Sequence, residues 1–283
     1  MSPDSIDLAR QRRSATMDPL WEQLRREAEQ ALKAEPILAP LFVGAILQQR
    51  CFEHAVLYRI AARLANETHQ AGRLFGVFCS VLEADPTLGE AFRADILAVI
   101  ERDPACHRLI EPLLYFKGFH AIQSHRIAHW LWNNRRTELA LCLQNSSSQI
   151  FQTDIHPAAR FGHGIFLDHA TGLVAGATSV VEDSVSILQA VTLGGTGTDQ
   201  VDRHPKVRRG VLIGAGATIL GNIEIGHSAR IAAGSVVIHP LPPNSTAAGV
   251  PARVIGTAGV AEPARAMDQM LNELSYASFT YMI

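Results

Sequence analysis

From residue 155 onward the apolar residues recur every six positions. Ile155, Phe161, Leu167, Leu173, Ser179, Val185 and Val191 follow this spacing, with Ser179 the one polar member. After a break it resumes at Ile213 and continues through Ile219, Ile225, Ile231 and Val237. An α-helix repeats at about 3.6 residues and a strand at about 2, so neither accounts for a period of six. A triangular coil with three short flat strands per turn does, if each apolar residue points inward. Small residues stand four places after many members (Ala159, Thr171, Ala177, Ala217, Ala229, Ser235) and are expected at the corners. Such a coil closes its hydrogen bonds by stacking turn on turn rather than around a globular core.

The repeat occupies only the second half of the chain. Of the 21 glycines in 283 residues, sixteen follow position 150, whereas all three tryptophans precede it. The first half carries helix signals instead. Asp18-Pro19 places a capping side chain before a proline suited to the first helical turn, and Trp21, Leu24, Ala28, Ala31 and Leu32 follow at helical spacing. A second apolar segment covers about 37–64, and Asp85-Pro86 opens a helix presenting Leu88, Phe92, Ile96, Leu97 and Ile100. Asp103-Pro104 is expected to start a further short helix, and 119–143 reads as one long segment. The expected organisation is a mobile extension over 1–17, a helical domain over 18–150, the coil over 151–256 and a tail over 257–283. A charged stretch, 197–210, interrupts the coil's phase. A polar excursion from a charge-poor coil suits ligand binding, and it equally suits a solvated loop.

Charge and cysteine usage narrow the chemistry. A formal charge of −2 lacks the basic excess of a nucleic-acid binder. No uninterrupted apolar run of membrane length occurs, and residues 1–13 lack the apolar core of a signal peptide. The four cysteines, Cys51, Cys79, Cys106 and Cys142, are spaced too widely for a zinc clip and do not suggest a secreted disulfide framework. A cytoplasmic setting is expected. All four lie before the coil, so the coil offers no thiol for an acyl-enzyme.

Among the histidines, His125 and His129 share a helical face but lack the partners of a metal site, and no resident metal is expected. His169, in Leu167-Asp168-His169-Ala170-Thr171-Gly172, falls at an outward or corner position. A neutral imidazole there can take a proton from an attacking hydroxyl, and it can equally be a polar decoration. Asp154, fifteen residues earlier, lies nearly one coil away and is placed to orient that ring.

Several segments together resemble the serine O-acetyltransferase family of the hexapeptide-repeat acyltransferase superfamily. They are RDPA at Arg102, LLYFKGFHAIQSHRIAHWLW at Leu113, DIHPAA at Asp154, LDHATG at Leu167 and VSILQAVTLGGTGT at Val185. DRHPK at Asp202, ILGNIEIG at Ile219 and AAGVPAR at Ala247 complete the set. The resemblance implies an N-terminal helical domain followed by a left-handed parallel β-helix. It also implies acetyl transfer from acetyl-CoA, a co-substrate rather than a tightly held cofactor, to the hydroxyl of L-serine. Carried over, His169 is the general base and Asp154 its partner. Asp103 and Asp168 meet the serine ammonium, and Arg203 and His204 its carboxylate. As an Asp-Pro pair, Asp103 equally suits an ordinary helix cap. The resemblance further places CoA along the coil edges near Gly195, Thr196, Ala215 and Ala233, in a groove between subunits of a hexamer built from two trimers. It implies feedback inhibition by cysteine, and docking of O-acetylserine sulfhydrylase on a tail ending at Ile283.

Three other readings remain on the sequence. One is transfer to a different acceptor on the same scaffold, although Arg203, His204 and Asp168 favour a zwitterion over a sugar. Another is a zinc hydratase of the gamma-type carbonic anhydrase kind, using His156, His163 and His169. The third is a non-catalytic assembly scaffold.

Overall fold

The computed structural model describes residues 18–67, 69–197 and 201–270. The extension over 1–17, the end of the tail with Ile283, and positions 198–200 within the charged stretch lie outside the described residues.

The first half is a helical bundle. Helix α1 (Pro19–Ala34) starts where the Asp-Pro signal places it: Asp18 Oδ1 accepts from the backbone N–H groups of Leu20 and Trp21. The apolar segment after it is not one helix. A 3₁₀ turn, α2 (Ala39–Phe42) and a π turn over Val43–Leu47 precede α3 (Phe52–Leu64). Helix α4 (Ala71–Ala84), which contains Gly72 and Gly76, was not anticipated. Helix α5 (Thr87–Arg102) follows Asp85, whose carboxylate accepts from the Thr87 N–H and hydroxyl. Short α6 (Ile110–Leu114) leads to α7 (Lys117–Asn133) and α8 (Thr137–Phe151). The single segment expected over 119–143 is broken at Arg135, whose backbone is left-handed at φ 61°.

Phe52, Phe78, Phe92 and Phe151 fill the bundle core. Helix α7 is enclosed along most of its length and faces two cores. Phe119, Ile127 and Leu131 join the bundle, whereas Ile122 packs into the interior of the coil.

The second half is a parallel β-helix with three faces. One sheet stacks β1 (Thr153–Ile155), β4 (Leu173–Ala175), β7 (Thr192–Gly194), β10 (Thr218–Leu220) and β13 (Val236–Val237). The second stacks β2 (Arg160–Phe161), β5 (Val180–Val181), β8 (Lys206–Val207) and β11 (Glu224–Ile225). The third stacks β3 (Phe166–Leu167), β6 (Ser186–Ile187), β9 (Leu212–Ile213), β12 (Arg230–Ile231) and β14 (Ser245–Gly249). It closes with the antiparallel strand β15 (Ala252–Thr257).

The register refines the period of six. A regular coil is eighteen residues long, as Ala175 opposite Leu193 and Ile219 opposite Val237 illustrate. Ile155, however, sits opposite Ala175 and Leu167 opposite Ile187, twenty residues on. Val181 opposite Val207 spans twenty-six. The main inward series is therefore Ile155, Phe161 and Leu167, then Ala175, Val181, Ile187 and Leu193, then Val207 through Val237. Leu173, Ser179, Val185 and Val191, counted above as its members, are two residues out of phase. They remain buried because alternate residues of these strands also point inward. For the same reason Ala159, Ala217, Ala229 and Ser235 are interior residues rather than corner ones.

Two departures from the repeat remain. Two extra residues sit in the turn between β3 and β4, and eight sit between β7 and β8. The second excursion ends before Lys206, so the coil regains its phase at Val207 rather than at Ile213.

A buried ion pair ties the halves together. The Arg126 guanidinium on α7 bonds Asp95 on α5 at 2.8 Å, and both side chains are almost fully buried. Asp95 also accepts from the Ile165 N–H, while Arg126 donates to the Phe161 and Gly162 carbonyls of the coil. Among the described residues, no helix is long and apolar enough to cross a membrane.

Candidate active site

The two-residue insertion places Asp168 and His169 at a corner. His169 and Ala170 both adopt left-handed backbone, with φ of 53° and 58°. Such geometry costs a non-glycine residue roughly 1–2 kcal/mol, so it persists only where the surroundings impose it. Here Asp168 N–H bonds the Ile187 carbonyl, Gly172 N–H that of Gln152, and Ala190 N–H that of Thr171. The bulge is thus fixed to α8's end above and to the next coil below.

His169 faces a cleft of about 320 Å³ shared with the helical half. Its lining brings together Asp103, Asp168 and His169, with Tyr115, Phe116, Lys117 and Phe166 completing the walls. Asp103 does not start a helix. It follows α5 as its C-terminal cap, and its carboxylate accepts from the Ala105 N–H at 2.9 Å in a turn.

Burial pushes the Asp168 carboxyl above its ordinary value; the His169 ring opposes that shift and the Asp103 carboxylate adds to it. Two carboxylates on one small, partly dehydrated cleft make it receptive to a cation. The His169 side chain is 77% exposed, and its Nε2 lies 3.8 Å from Asp168 Oδ1. Asp154, on the outward face of β1, instead accepts a 2.6 Å hydrogen bond from Gln144 Nε2, and no hydrogen bond joins it to His169.

The remaining site candidates fall on two edges. Below His169, along the same corner, stand Ala190, Ala215 and Ala233, stacked through hydrogen bonds such as Gly234 N–H to the Ala215 carbonyl. Gly195, Thr196, Arg203 and His204 belong to a different edge, on the excursion after β7. Arg203 lays its side-chain stem over Gly195: a Cβ built there would sit 3.0 Å from Arg203 Cδ and Cγ.

His204 is 6% exposed and packs against Gly176, where a Cβ would come within 1.9 Å of its Nε2. Its Nδ1 accepts from the Thr178 N–H, while the Thr178 hydroxyl accepts from the N–H groups of Arg203 and His204. Burial, with Arg203 and Lys206 nearby, lowers the His204 pKa and keeps the ring neutral. Two residues carry no signal in the sequence: Thr178, which organises this excursion, and Lys117, which lines the cleft.

His156, His163 and His169 occupy three different corners of the first coil, so within one chain they do not converge. His156 is turned inward on its own turn, its Nδ1 accepting from the Ala158 N–H and its ring edge-on to Trp132.

Two family models match the chain, one in each half. Residues 20–124 match the model of the serine acetyltransferase N-terminal region, and residues 204–239 that of the bacterial transferase hexapeptide (six repeats). The chain is 50% identical to a serine acetyltransferase of Salmonella typhimurium over 94% of its own length and 97% of that protein's. A crystal structure of serine acetyltransferase in complex with coenzyme A, from Brucella abortus, superposes with a TM-score of 0.85 at 57% identity. It covers 86% of this chain and 97% of that one. A serine acetyltransferase complexed with cysteine gives a TM-score of 0.87 at 51% identity, over 89% of this chain and 98% of that one.

Proposed function

The chain belongs to the serine acetyltransferase family of acetyl-CoA-dependent enzymes, and from that premise we propose how its own residues carry the reaction. The observation that carries the reading is the corner after β3, where the inserted Asp168 and His169 share a cleft with Asp103. Asp103 and Asp168 receive the ammonium of L-serine, which leaves the hydroxyl beside His169. The exposed imidazole accepts the hydroxyl proton as the oxygen attacks the thioester carbonyl. The tetrahedral intermediate collapses to O-acetylserine, and the departing CoA thiolate takes the proton back from the imidazolium. Attack is direct, since every cysteine of the sequence lies outside the coil. Asp154, turned from Gln144 toward the ring, steadies the imidazolium.

The serine carboxylate is held by Arg203, whose charge and planar donors suit a carboxylate, with His204 contributing a neutral contact. Because these residues stand on a different edge from His169, a complete site takes the second edge from a neighbouring copy. This supports trimers, paired through the helical halves into a hexamer. The pantetheine arm runs down the groove past Ala215 and Ala233 on one subunit and Gly195 and Thr196 on the next. Cysteine, a zwitterion of the same shape as serine, competes at this site; a relative has been crystallised with it. The reaction takes place in the cytoplasm, and the product passes to O-acetylserine sulfhydrylase bound at the tail ending in Ile283.

The test is serine-dependent CoA release, compared with homoserine and a sugar as acceptors. Serine is expected to be the preferred acceptor, and Asp168→Asn to raise KM for serine by tenfold or more while leaving KM for acetyl-CoA within about twofold. Equal rates with a sugar, or no effect of Asp168→Asn on serine, would overturn the assignment.

A further inference from the structure

Lys117, the first residue of α7, lies at the junction of three chain segments. Its ammonium donates to the Thr171 hydroxyl on the coil corner and to Gln152 Oε1, 3.3 Å away, at the end of α8. Gln152 is itself left-handed (φ 57°), and its carbonyl accepts from the Gly172 N–H at 2.7 Å. Next to Lys117, Gly118 brings the α7 backbone directly onto the coil: a Cβ there would stand 2.0 Å from the Leu167 carbonyl oxygen. The inserted turn is thereby gripped on both sides, at Leu167 before Asp168-His169 and at Thr171 after them. Lys117 also lines the cleft that His169 faces.

We propose that Lys117 is a positioning residue for His169, clamping Thr171 and Gln152 so that the left-handed bulge presents the imidazole to the acceptor hydroxyl. The regular coil below has no need of such a clamp. Its corners use single left-handed residues such as Ala190, Gly216 and Gly234, locked by coil-to-coil hydrogen bonds alone. The first coil has no coil above it, and its bulge holds two consecutive left-handed residues before a third at Gly172. External fixing falls to the helical half. The ammonium donates to the Thr171 and Gln152 side-chain oxygens, so its effect on turnover passes through the corner's geometry. A displacement of the base by about 1 Å is enough to cost up to roughly a hundredfold in rate.

This inference rests on His169 acting as the base in serine acetylation, and the experiment separates the two. Wild type, Lys117→Met, Lys117→Arg and Thr171→Val are compared for kcat, KM for serine, CoA affinity by direct titration, Tm and oligomeric mass. Lys117→Met is expected to lower kcat by roughly tenfold to a hundredfold, with KM for serine and CoA affinity within about threefold. Lys117→Arg should recover most of the loss. Thr171→Val should lower kcat less, and combined with Lys117→Met should add little, since both remove the same contact.

Unchanged kcat in Lys117→Met overturns the proposal while leaving the serine reading intact. So does a defect confined to KM for serine, which would mean that Lys117 touches the substrate, or a defect explained by a lower Tm and altered mass. Should Lys117→Met not fold, Thr171→Val decides by the same kcat criterion. A wild type without serine-dependent CoA release would instead sink the functional reading.

Discussion

The helical half and the coil bury apolar side chains in opposite ways. In the bundle, residues far apart in sequence meet in one core: Leu24, Phe52, Phe78, Phe92, Leu113 and Phe151 belong to a single cluster. In the coil each interior residue stacks on its equivalents one turn above and below, so contacts are nearly one-dimensional. A regular coil offers smooth faces and tight corners, with little concavity for chemistry. The candidate site lies where the coil departs from its repeat, at the insertion before Gly172 and the excursion after Gly194. The bundle supplies what the coil lacks, a second wall to the cleft and a carboxylate at the end of α5.

The largest difference between the halves is expected in acid. Burial drives the His120 pKa down to about 3, and its ring stays neutral with Nε2–H donating to the Leu113 carbonyl at 2.7 Å. His125 on the same helix is likewise held well below its ordinary value by burial, with His129 and Arg126 adding to the effect. Both pKa values are depressed, so the unfolded chain binds protons that the folded one refuses. Stability is unaffected above the unfolded value near 6.5 and falls as pH drops below it, by on the order of 5 kcal/mol from His120 alone at pH 3. Hydrogen exchange followed from pH 7 to pH 4 should open α7 and its neighbours before the coil. Simultaneous opening of both halves would break the distinction.

The junction is tested next. Arg126→Met leaves the Asp95 carboxylate buried without its partner and removes the links to the Phe161 and Gly162 carbonyls. A loss of about 3–5 kcal/mol in unfolding free energy is expected from denaturant titration. A change below about 1 kcal/mol would mean that the halves do not depend on this weld.

Cavity variants sharpen the comparison of cores. Ile96→Ala in the bundle and Ile219→Ala in the coil each remove a fully buried side chain and should cost roughly 2–4 kcal/mol. The bundle variant should raise exchange across the whole helical half. The coil variant should raise it chiefly in β7, β10 and β13, the strands stacked at that level. A uniform response in both would contradict a one-dimensional coil.

Much of this division was legible in the sequence. The period of six, the shift in glycine content near residue 150 and the Asp18-Pro19 start all appear in the fold. The two-residue insertion was hidden because alternate strand positions both face inward. A count from Leu167 to Leu173 therefore lands on another buried residue, and Ser179 is the one sign that it has slipped. Helix α4 was obscured by its glycines, and the break at Arg135 by apolar spacing that continues across it. His169 stands out as a histidine two places after an inward leucine of the repeat, whereas Asp168 is marked only by the family resemblance. Lys117 does not stand out, since a lone lysine at a helix start carries no period, and its role depends on which segments meet there in space.

The central claim is that catalysis sits at the coil's departure from its own repeat. The most direct measurement is serine-dependent CoA release by His169→Ala, with its mass and Tm checked against wild type. A fall in kcat of about a hundredfold to ten-thousandfold, in a protein of unchanged mass and stability, is the predicted result. A variant that keeps wild-type kcat would place the chemistry elsewhere on the molecule.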